Sequence, residues 1–188
     1  MDSFAIPVIK DFKELEIFIK SELTWCILVD FHMNFLSDLL KQLHDVNKFG
    51  IVHLDLTHGL ANDEFAVQYL CQKIHCDGII STKPKALQMA KKLHVLSILR
   101  VFLIDSQSLN KGISLGESLA PDYIEVLPAT TPHAMELIRK ITNCDIIGGG
   151  LITSFEDMVQ CHASGMKHVT TSSLALSLAA LQLKSDYK

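Results

Sequence analysis

The sequence predicts a single α/β domain spanning residues 1–188, folded as a small (β/α)8 barrel of the TIM type. Three observations predict this fold. Eight short apolar runs rich in Val and Ile recur along the chain, helical patterns lie between them, and no linker or low-complexity tract interrupts the series. Eight strand–helix units favour a closed barrel over an open sheet. The loops must be short, because typical barrels need about 250 residues.

The eight predicted strands are short, and most are bounded by turn or capping residues. Such runs are typical of buried strands. In chain order they are AIPVI from Ala5, CILVD from Cys26, IVHLDL from Ile51, GIIS from Gly78, LSILRVFLI from Leu96, DYIEVLP from Asp122, DIIGGG from Asp145 and KHVTTS from Lys167.

Segments with the 3.6-residue helical period fill the intervals between the strands. One of them carries a stripe of leucines at Leu36, Leu39, Leu40 and Leu43. The segment EFAVQYLCQKI repeats this spacing, with a stripe at Val67, Leu70, Cys71 and Ile74. Residues suited to a helix start are Asn62 or Asp63, Ser81 or Thr82 before Pro84, Thr131 before Pro132, and Ser154 with Asp157.

Composition and charge argue against several classes of protein. The chain is 48% apolar and 20% charged, and its mean hydropathy is +0.26, values typical of a folded soluble domain. No apolar run approaches the ~20 residues that span a bilayer, and the N-terminus lacks signal-peptide features, so we expect a cytoplasmic protein without a membrane partner. The net charge of −4 argues against a strongly basic nucleic-acid surface but leaves room for a local patch.

The cysteines and histidines do not predict a metal site. The five cysteines form no CxxC pair and are expected to be reduced structural thiols: Cys26, Cys71, Cys76, Cys144 and Cys161. The histidines are scattered without a convincing ligand spacing. Walker A, GxGxxG, HExxH and GxSxG patterns are missing, and no nucleophile with a base can be assembled. The sequence therefore predicts no catalytic residue and no metal ligand.

Polar residues occur in strands that should be apolar. Alternation along strand three places His53 and Asp55 on one face, and Arg100 and Glu125 lie on the neighbouring fifth and sixth strands. Lys10 lies just past strand one. Charged groups inside a barrel are costly unless they are paired or bound to a ligand. Two interpretations follow: a structural ion pair between Arg100 and Glu125, or a polar-ligand site at the barrel mouth.

The ends of the last two strands carry a second signal. Gly148-Gly149-Gly150 ends strand seven, and the run from Thr170 to Ser173 ends strand eight. In barrels of this type these two loops often bind phosphate through backbone N–H groups. Glycine lets an anion approach the backbone, and hydroxyl groups add donors. We expect a phosphate site here, although a glycine run also occurs in tight turns.

Several segments match one known family in chain order. They are His53-Leu54-Asp55-Leu56, Gly59-Leu60, Asp63-Glu64, DGIISTKP from Asp77, RVFLIDS from Arg100, IEVLP from Ile124, GGLI from Gly149, and Thr171-Ser172. Together they resemble the glycerol-3-phosphate-responsive antiterminators of bacteria over nearly the whole chain. The chain differs from the family pattern at three places near strand ends, namely Phe31-His32, His58 and Ala129.

The resemblance implies a barrel that binds glycerol 3-phosphate as its effector and needs no other cofactor. Its partner would be the leader mRNA of glycerol-use genes, on which such proteins prevent a terminator from stopping transcription, and it would catalyse no reaction. The phosphate would be held by Gly149, Gly150, Thr171 and Ser172. The residues lining the mouth would be Asp55, Arg100 and Glu125.

The RNA surface and the functional class stay open at this point. The best local basic cluster consists of Lys83, Lys85, Lys91 and Lys92 around the fourth helix, but a solvated helix face explains it equally well. An alternative function is an enzyme acting on a small phosphorylated metabolite, with Asp55, Glu125 or Lys83 as acid or base. A third is a binding or scaffold protein without RNA activity. Homo-oligomers are also compatible with the sequence.

Overall fold

The structure is a computed structural model that describes residues 1, 3–129 and 144–182. Eight parallel strands pair in chain order and close into a barrel, with β8 returning to β1. The strands are β1 Ala5–Ile9, β2 Trp25–Leu28, β3 Phe49–His53, β4 Gly78–Ser81, β5 Leu96–Phe102, β6 Tyr123–Leu127, β7 Asp145–Gly148 and β8 His168–Thr171. The predicted TIM-type (β/α)8 fold is confirmed. We call the end where the strands terminate the mouth, and the opposite end the base.

Helices follow the strands and cover the outside of the barrel. Within the described residues they are α1 Phe12–Lys20, α2 Met33–His44, α3 Glu64–Tyr69, α4 Pro84–Lys92, α5 Ser106–Leu119, α6 Phe155–Ala163 and α7 Leu174–Ala179. The helix start predicted at Thr131 and Pro132 lies outside the described residues. Over the described part of the chain, no helix combines the length and apolar character required to cross a membrane.

Two apolar layers hold the barrel together. Its interior is filled by isoleucines contributed by six strands: Ile6, Ile27, Ile51, Ile80, Ile98 and Ile147. The residues that alternate with these point outward and pack against the helices, where the leucine stripe of α2 is buried as predicted. Because both faces of each strand are covered, the strands have the near-continuous apolar sequences from which they were predicted.

Local signals fix where several helices begin. Asp63 caps α3 by accepting hydrogen bonds from the N–H groups of Phe65 and Ala66. Ser154 and Asp157 form a reciprocal capping box at α6, as predicted. Pro84 is in the first turn of α4, but the residue at the N-cap is Lys83, whose side chain makes no capping bond. Beyond Tyr69, α3 continues into a π-helical turn, Leu70–Ile74.

Several strands end earlier than their predicted runs, and β3 and β5 are two of them. β3 stops at His53, and Leu54–Leu56 form a single 3-10 turn. β5 stops at Phe102, two residues before the end of the predicted run. Strand alternation therefore does not extend to Asp55, and this moves Asp55 off the inner face of the barrel.

Candidate ligand site at the barrel mouth

A cavity of about 440 Å³ opens at the mouth of the barrel. Its size is within the range of small-molecule sites. Its walls come from the ends of several strands and from the loops that follow β7 and β8, and they include two cationic side chains, Lys10 and Arg100. In barrels of this fold, the loops at this end of the strands form the functional site.

The loops after β7 and β8 meet at one side of the cavity. The Thr171 hydroxyl donates a 3.2 Å hydrogen bond to the carbonyl oxygen of Ile152, and the Ser173 N–H donates to the Thr171 hydroxyl oxygen at 3.1 Å. Gly150, Thr171 and Ser172 all line the cavity. Gly150 has a φ of +73°, which favours glycine, and Leu151 follows at +58°. The structure thus brings together three of the four residues predicted to hold a phosphate.

Gly149, the fourth, has a different place. Its N–H donates to the Val126 carbonyl at 2.9 Å and its carbonyl accepts from the Ala129 N–H at 2.9 Å, so the neighbouring strand and loop use both groups. A Cβ atom here would lie 2.7 Å from the Thr170 hydroxyl oxygen and 3.0 Å from the Glu125 carboxylate. Gly149 therefore makes room for the polar groups beside it, and its predicted part in holding the phosphate stays a prediction.

A buried polar chain underlies the cavity. Arg100 and Glu125 are directly opposite each other in the pairing of β5 with β6, and Arg100 Nε donates to Glu125 Oε2 at 2.5 Å. The other oxygen, Glu125 Oε1, accepts from the Thr170 hydroxyl at 2.7 Å. Glu125 is fully buried, whereas the Arg100 side chain is 13% exposed and lines the cavity. The ion pair of the first interpretation is thus present, and Arg100 also reaches the cavity that the second interpretation assigns to a ligand.

His53 lies beside this chain at the end of β3. Its side chain is buried, and neither ring nitrogen has a hydrogen-bond partner among the described residues. Burial, together with the nearby Arg100 cation, lowers the pKa of His53 to about 4, while Asp55 opposes part of the shift. The imidazole is therefore neutral at physiological pH. The polar interior beneath the cavity then carries one carboxylate, one guanidinium and one neutral ring.

Asp55 is engaged away from the cavity. Its carboxylate accepts from the Ser81 hydroxyl at 2.5 Å and from the Thr82 N–H at 2.7 Å, which ties the turn after β3 to the end of β4. Among the described residues that line the cavity, the 3-10 turn contributes Leu56 and not Asp55. Asp55 thus lies at the mouth as predicted for its strand but not on the cavity wall, because β3 ends two residues before it; its contact with a ligand stays a prediction.

The residues at which the chain differs from the family pattern lie near the mouth but outside the cavity wall. His32 and His58 form a bridge between the loops after β2 and β3, with the Met33 N–H donating to the His58 carbonyl at 2.9 Å. His32 also caps α2 through Nδ1. Ala129 is fully buried and donates its N–H to Gly149. In the part of the chain that the structure describes, no group of His, Cys, Asp or Glu is arranged to hold a metal ion.

The four lysines of the predicted basic cluster divide between the two ends of α4. Lys83 and Lys85 are exposed at its start, on the mouth side. Lys91 and Lys92 are in its last turn, and a nine-residue helix is about 13 Å long. The Lys91 ammonium group donates to the carbonyl oxygens of Leu119 and Ala120 at the end of α5. The Lys91 ammonium group therefore binds the C-terminal end of α5, and the four lysines do not form one continuous patch.

Lys10 is a charged residue of the cavity wall that was not among the residues predicted to bind the ligand. It directly follows β1, and its N–H donates to Glu14 Oε2 at 2.8 Å, which fixes the backbone at the entrance to α1. Its side chain is exposed and lines the cavity. The signal available in the sequence was its position immediately past a barrel strand, where functional side chains concentrate in this fold.

Comparisons with known proteins agree on one family. Residues 5–176 match the family model described as glycerol-3-phosphate responsive antiterminator. The glycerol uptake operon antiterminator regulatory protein of Listeria monocytogenes is 36% identical, with a TM-score of 0.88 over 93% of this chain and 94% of that one. An antiterminator-related protein of Thermotoga maritima is 30% identical, with a TM-score of 0.83 over 94% and 99%.

Two further similarities define the limits of this relationship. An uncharacterized Escherichia coli protein, YgcP, is 28% identical over 95% of this chain and 94% of its own length. The solved structure of an aldolase called QR15 superposes with a TM-score of 0.73 over 97% of this chain and 96% of that one, at 12% identity. At such identity the similarity shows a shared fold alone.

Proposed function

The chain belongs to the glycerol-3-phosphate responsive antiterminator family, and on this premise we propose that it is a cytoplasmic regulator that binds glycerol 3-phosphate and leader mRNA. The bound protein prevents premature termination in genes of glycerol use. The observation that carries the proposal is the meeting of the β7 and β8 loops beside Lys10 and Arg100, in a cavity of about 440 Å³. Backbone donors, hydroxyl groups and two cations suit a small phosphorylated ligand.

The phosphate lies against Gly150, Thr171 and Ser172, with Lys10 neutralising part of its charge. Arg100 projects from the floor of the cavity and is oriented by Glu125, which is itself held by Thr170. Glu125 thus acts on the ligand through Arg100, as a positioning residue. A planar guanidinium favours bidentate binding of an oxyanion, and its fixed orientation lowers the entropy cost of binding.

Effector control follows from a difference in affinity between two states. If the loops after β7 and β8 are better ordered with the ligand bound, the ligand favours the conformation that binds RNA. The coupling must be reciprocal, so RNA increases the affinity for glycerol 3-phosphate by the same factor. The protein catalyses no reaction in this scheme, and the ligand leaves unchanged.

The mouth is the face that we assign to RNA. Lys83 and Lys85 are exposed there, and so are three phenylalanines in the first turns of helices: Phe12, Phe35 and Phe65. Phe65 is 71% exposed. Single-stranded RNA is recognised by stacking of bases on aromatic rings together with contacts from cations to phosphate. The low aromatic content of the sequence did not predict such a surface, because it does not show which rings are exposed.

Titration calorimetry with glycerol 3-phosphate tests the ligand site. We expect binding by the wild type and its loss in Gly150→Asp, since a carboxylate at that position repels phosphate. Gly165→Asp is the matched control: Gly165 also has a positive φ, +90°, and a Cβ there meets no atom within 4 Å. It precedes β8 at the base, so this variant adds the same charge far from the cavity. Absence of binding by the wild type at millimolar ligand would remove the proposed effector.

A gel-shift assay with glycerol-operon leader RNA tests the regulatory step. Glycerol 3-phosphate is expected to tighten RNA binding by the wild type. Phe65→Ala is expected to weaken it, whereas Phe49→Ala, at the base end of β3, retains it. RNA affinity that is independent of the ligand contradicts gating. Conversion of glycerol 3-phosphate by the protein, followed by phosphorus NMR, would contradict a purely regulatory role and favour an enzyme.

A further inference from the structure

Two cysteine thiols face each other at the base of the barrel, away from the ligand cavity. Cys71 is in the π-helical turn that ends α3, and Cys76 is in the connection to β4. Their Sγ atoms are 4.0 Å apart. A disulfide requires a separation of about 2.05 Å, so each sulfur has to move by roughly 1 Å toward the other.

The backbone between the two residues holds them in this arrangement. His75 has a left-handed φ of +59° and reverses the chain after the helix. The Cys76 N–H then donates to the Leu70 carbonyl at 3.1 Å, which returns Cys76 to the end of the helix. Cys76 is buried, with 5% of its surface exposed, and Cys71 is half-buried. One thiol is therefore accessible to a small oxidant and the other is protected behind it.

We propose that Cys71 and Cys76 are an oxidation site, in which a hydroperoxide oxidises Cys71 and Cys76 then closes a disulfide with it. The bond joins the last turn of α3 to the residue just before the segment that enters β4. Because both residues belong to the same folded chain and their sulfurs are already close, closure needs no unfolding and no second protein molecule.

The two thiols have unequal roles in this reaction. The hydrogen bond between the two thiols lowers the pKa of Cys71, whereas that bond and burial raise the pKa of Cys76. The Cys71 thiolate attacks a peroxide oxygen, the O–O bond breaks, and Cys71 becomes a sulfenic acid while water leaves after protonation. The Cys76 sulfur then attacks the Cys71 sulfur. The hydroxyl group of the sulfenic acid leaves with the Cys76 thiol proton as a second water. Two thiols and one hydrogen peroxide give one disulfide and two waters.

Other buried thiols lack this arrangement. Cys26 and Cys161 are fully buried, and burial raises the pKa of Cys161 to about 11 and that of Cys26 further. A thiol with a raised pKa is a poor nucleophile toward peroxide. These two residues therefore serve as internal references within the same protein.

Peptide mapping of the folded full-length chain tests the proposal. The protein is treated with hydrogen peroxide, its remaining thiols are alkylated in denaturant, and it is digested with trypsin without reductant. Trypsin cleaves after Lys73, between the two cysteines, so the peptide that ends at Lys73 and the one that starts at Ile74 stay together only through a disulfide. We expect this linked pair to replace the two separately alkylated peptides and to separate on treatment with dithiothreitol, while Cys26 and Cys161 remain alkylated.

Single variants distinguish the two roles. In Cys76→Ser, peroxide leaves Cys71 as a sulfenic acid that dimedone labels, whereas in Cys71→Ser the Cys76 thiol stays reduced. The proposal is overturned if the wild type shows no linked pair, if linkage forms only after unfolding in urea, or if Cys71 links to Cys71 of another molecule. Equal oxidation of Cys26 or Cys161 also overturns it.

Discussion

At the scale of single residues, the carboxylate of Glu125 connects the polar groups inside the barrel. It is fully buried and accepts from Arg100 and Thr170, one on each oxygen. A buried charge of this kind is tolerated because its partners replace the water it has lost. Removing one partner leaves an uncompensated charge, so this network holds Arg100 in place more strictly than an exposed ion pair would.

His53 gives the barrel a predictable dependence on pH. Its pKa is lowered from 6.5 to about 4 in the folded protein. Below pH 6.5, His53 binds a proton in the unfolded chain but stays neutral in the folded barrel. The free energy of unfolding therefore decreases as the pH falls from 6.5 toward 4. The loss attributable to His53 by pH 4 is about 3 kcal/mol. We expect His53→Gln to lose that much less stability over this range, measured by urea unfolding at each pH.

His94→Asn is the control for this measurement. His94 is exposed and has a left-handed φ of +57°, which asparagine also adopts. The stability of the His94→Asn variant is expected to depend on pH in the same way as that of the wild type. A His53→Gln profile that is parallel to the wild type over pH 4–6.5 would show that another group, such as the buried His168, carries the dependence.

Individual site residues were predictable where a strand end could be located from the sequence. Gly150 reaches the cavity from two residues past the end of β7, and Thr171 and Ser172 reach it from the end of β8. Asp55 was misplaced, since Leu54 and Leu56 extend the apolar pattern past the true end of β3. Nothing in a run of three glycines tells which one faces the cavity and which one faces a buried carboxylate, because that depends on side chains from other strands.

At the scale of elements, β7 is the strand whose end shapes the site. Gly149 follows it and allows Thr170 and Glu125 to approach from neighbouring strands. Gly149→Ala places a methyl group 2.7 Å from the Thr170 hydroxyl oxygen. We expect it to destabilise the protein by about 2 kcal/mol through overpacking, as measured by urea unfolding.

A double-mutant cycle identifies the cause of this destabilisation. Thr170→Ala removes the closest obstructing atom, so Gly149→Ala should cost about 1 kcal/mol less in that background. The Glu125 oxygen at 3.0 Å retains part of the penalty. If the two changes are additive, the contact between the added methyl group and Thr170 is not the source of the destabilisation.

Element existence was easier to predict than element ends. All eight strands and the capping box at α6 were predicted, because apolar runs and capping pairs are local properties of the sequence. The π-helical turn after α3 was not, since its stripe at Val67, Leu70 and Ile74 fits an ordinary helix equally well. Just past the early end of β3, Asp55 bonds to Ser81 and Thr82, which are remote in sequence and so could not be read from a local pattern.

At the scale of the whole molecule, barrel closure connects the cavity to global stability. β1 pairs with both β2 and β8, so the loops that surround the cavity all extend from strands of one continuous sheet. The closed topology was predictable from the count of strand–helix units. The position of the cavity was predictable from the sequence. The set of residues that line it was not, because Lys10 and Arg100 reach it from opposite sides of the barrel.

Ligand binding at the mouth is therefore expected to stabilise the barrel as a unit. At a glycerol 3-phosphate concentration of about 100 times Kd, linkage contributes about 2.7 kcal/mol. For a chain of 188 residues, this corresponds to an increase in Tm of about 5–10 °C. Glycerol at the same concentration lacks the phosphate that Gly150, Thr171 and Ser172 are proposed to hold, so it should leave Tm unchanged in a thermal-unfolding scan.

Two lysine variants locate the source of this increase. Lys10→Met removes a cation from the cavity wall, and a tenfold loss of affinity would reduce the stabilisation by about 1.4 kcal/mol, about half of the effect. Lys92→Met removes an exposed cation from the last turn of α4, at the base, and should keep the full increase. Equal shifts for both variants, or an equal shift with glycerol, would mean that the phosphate is not bound at the mouth beside Lys10.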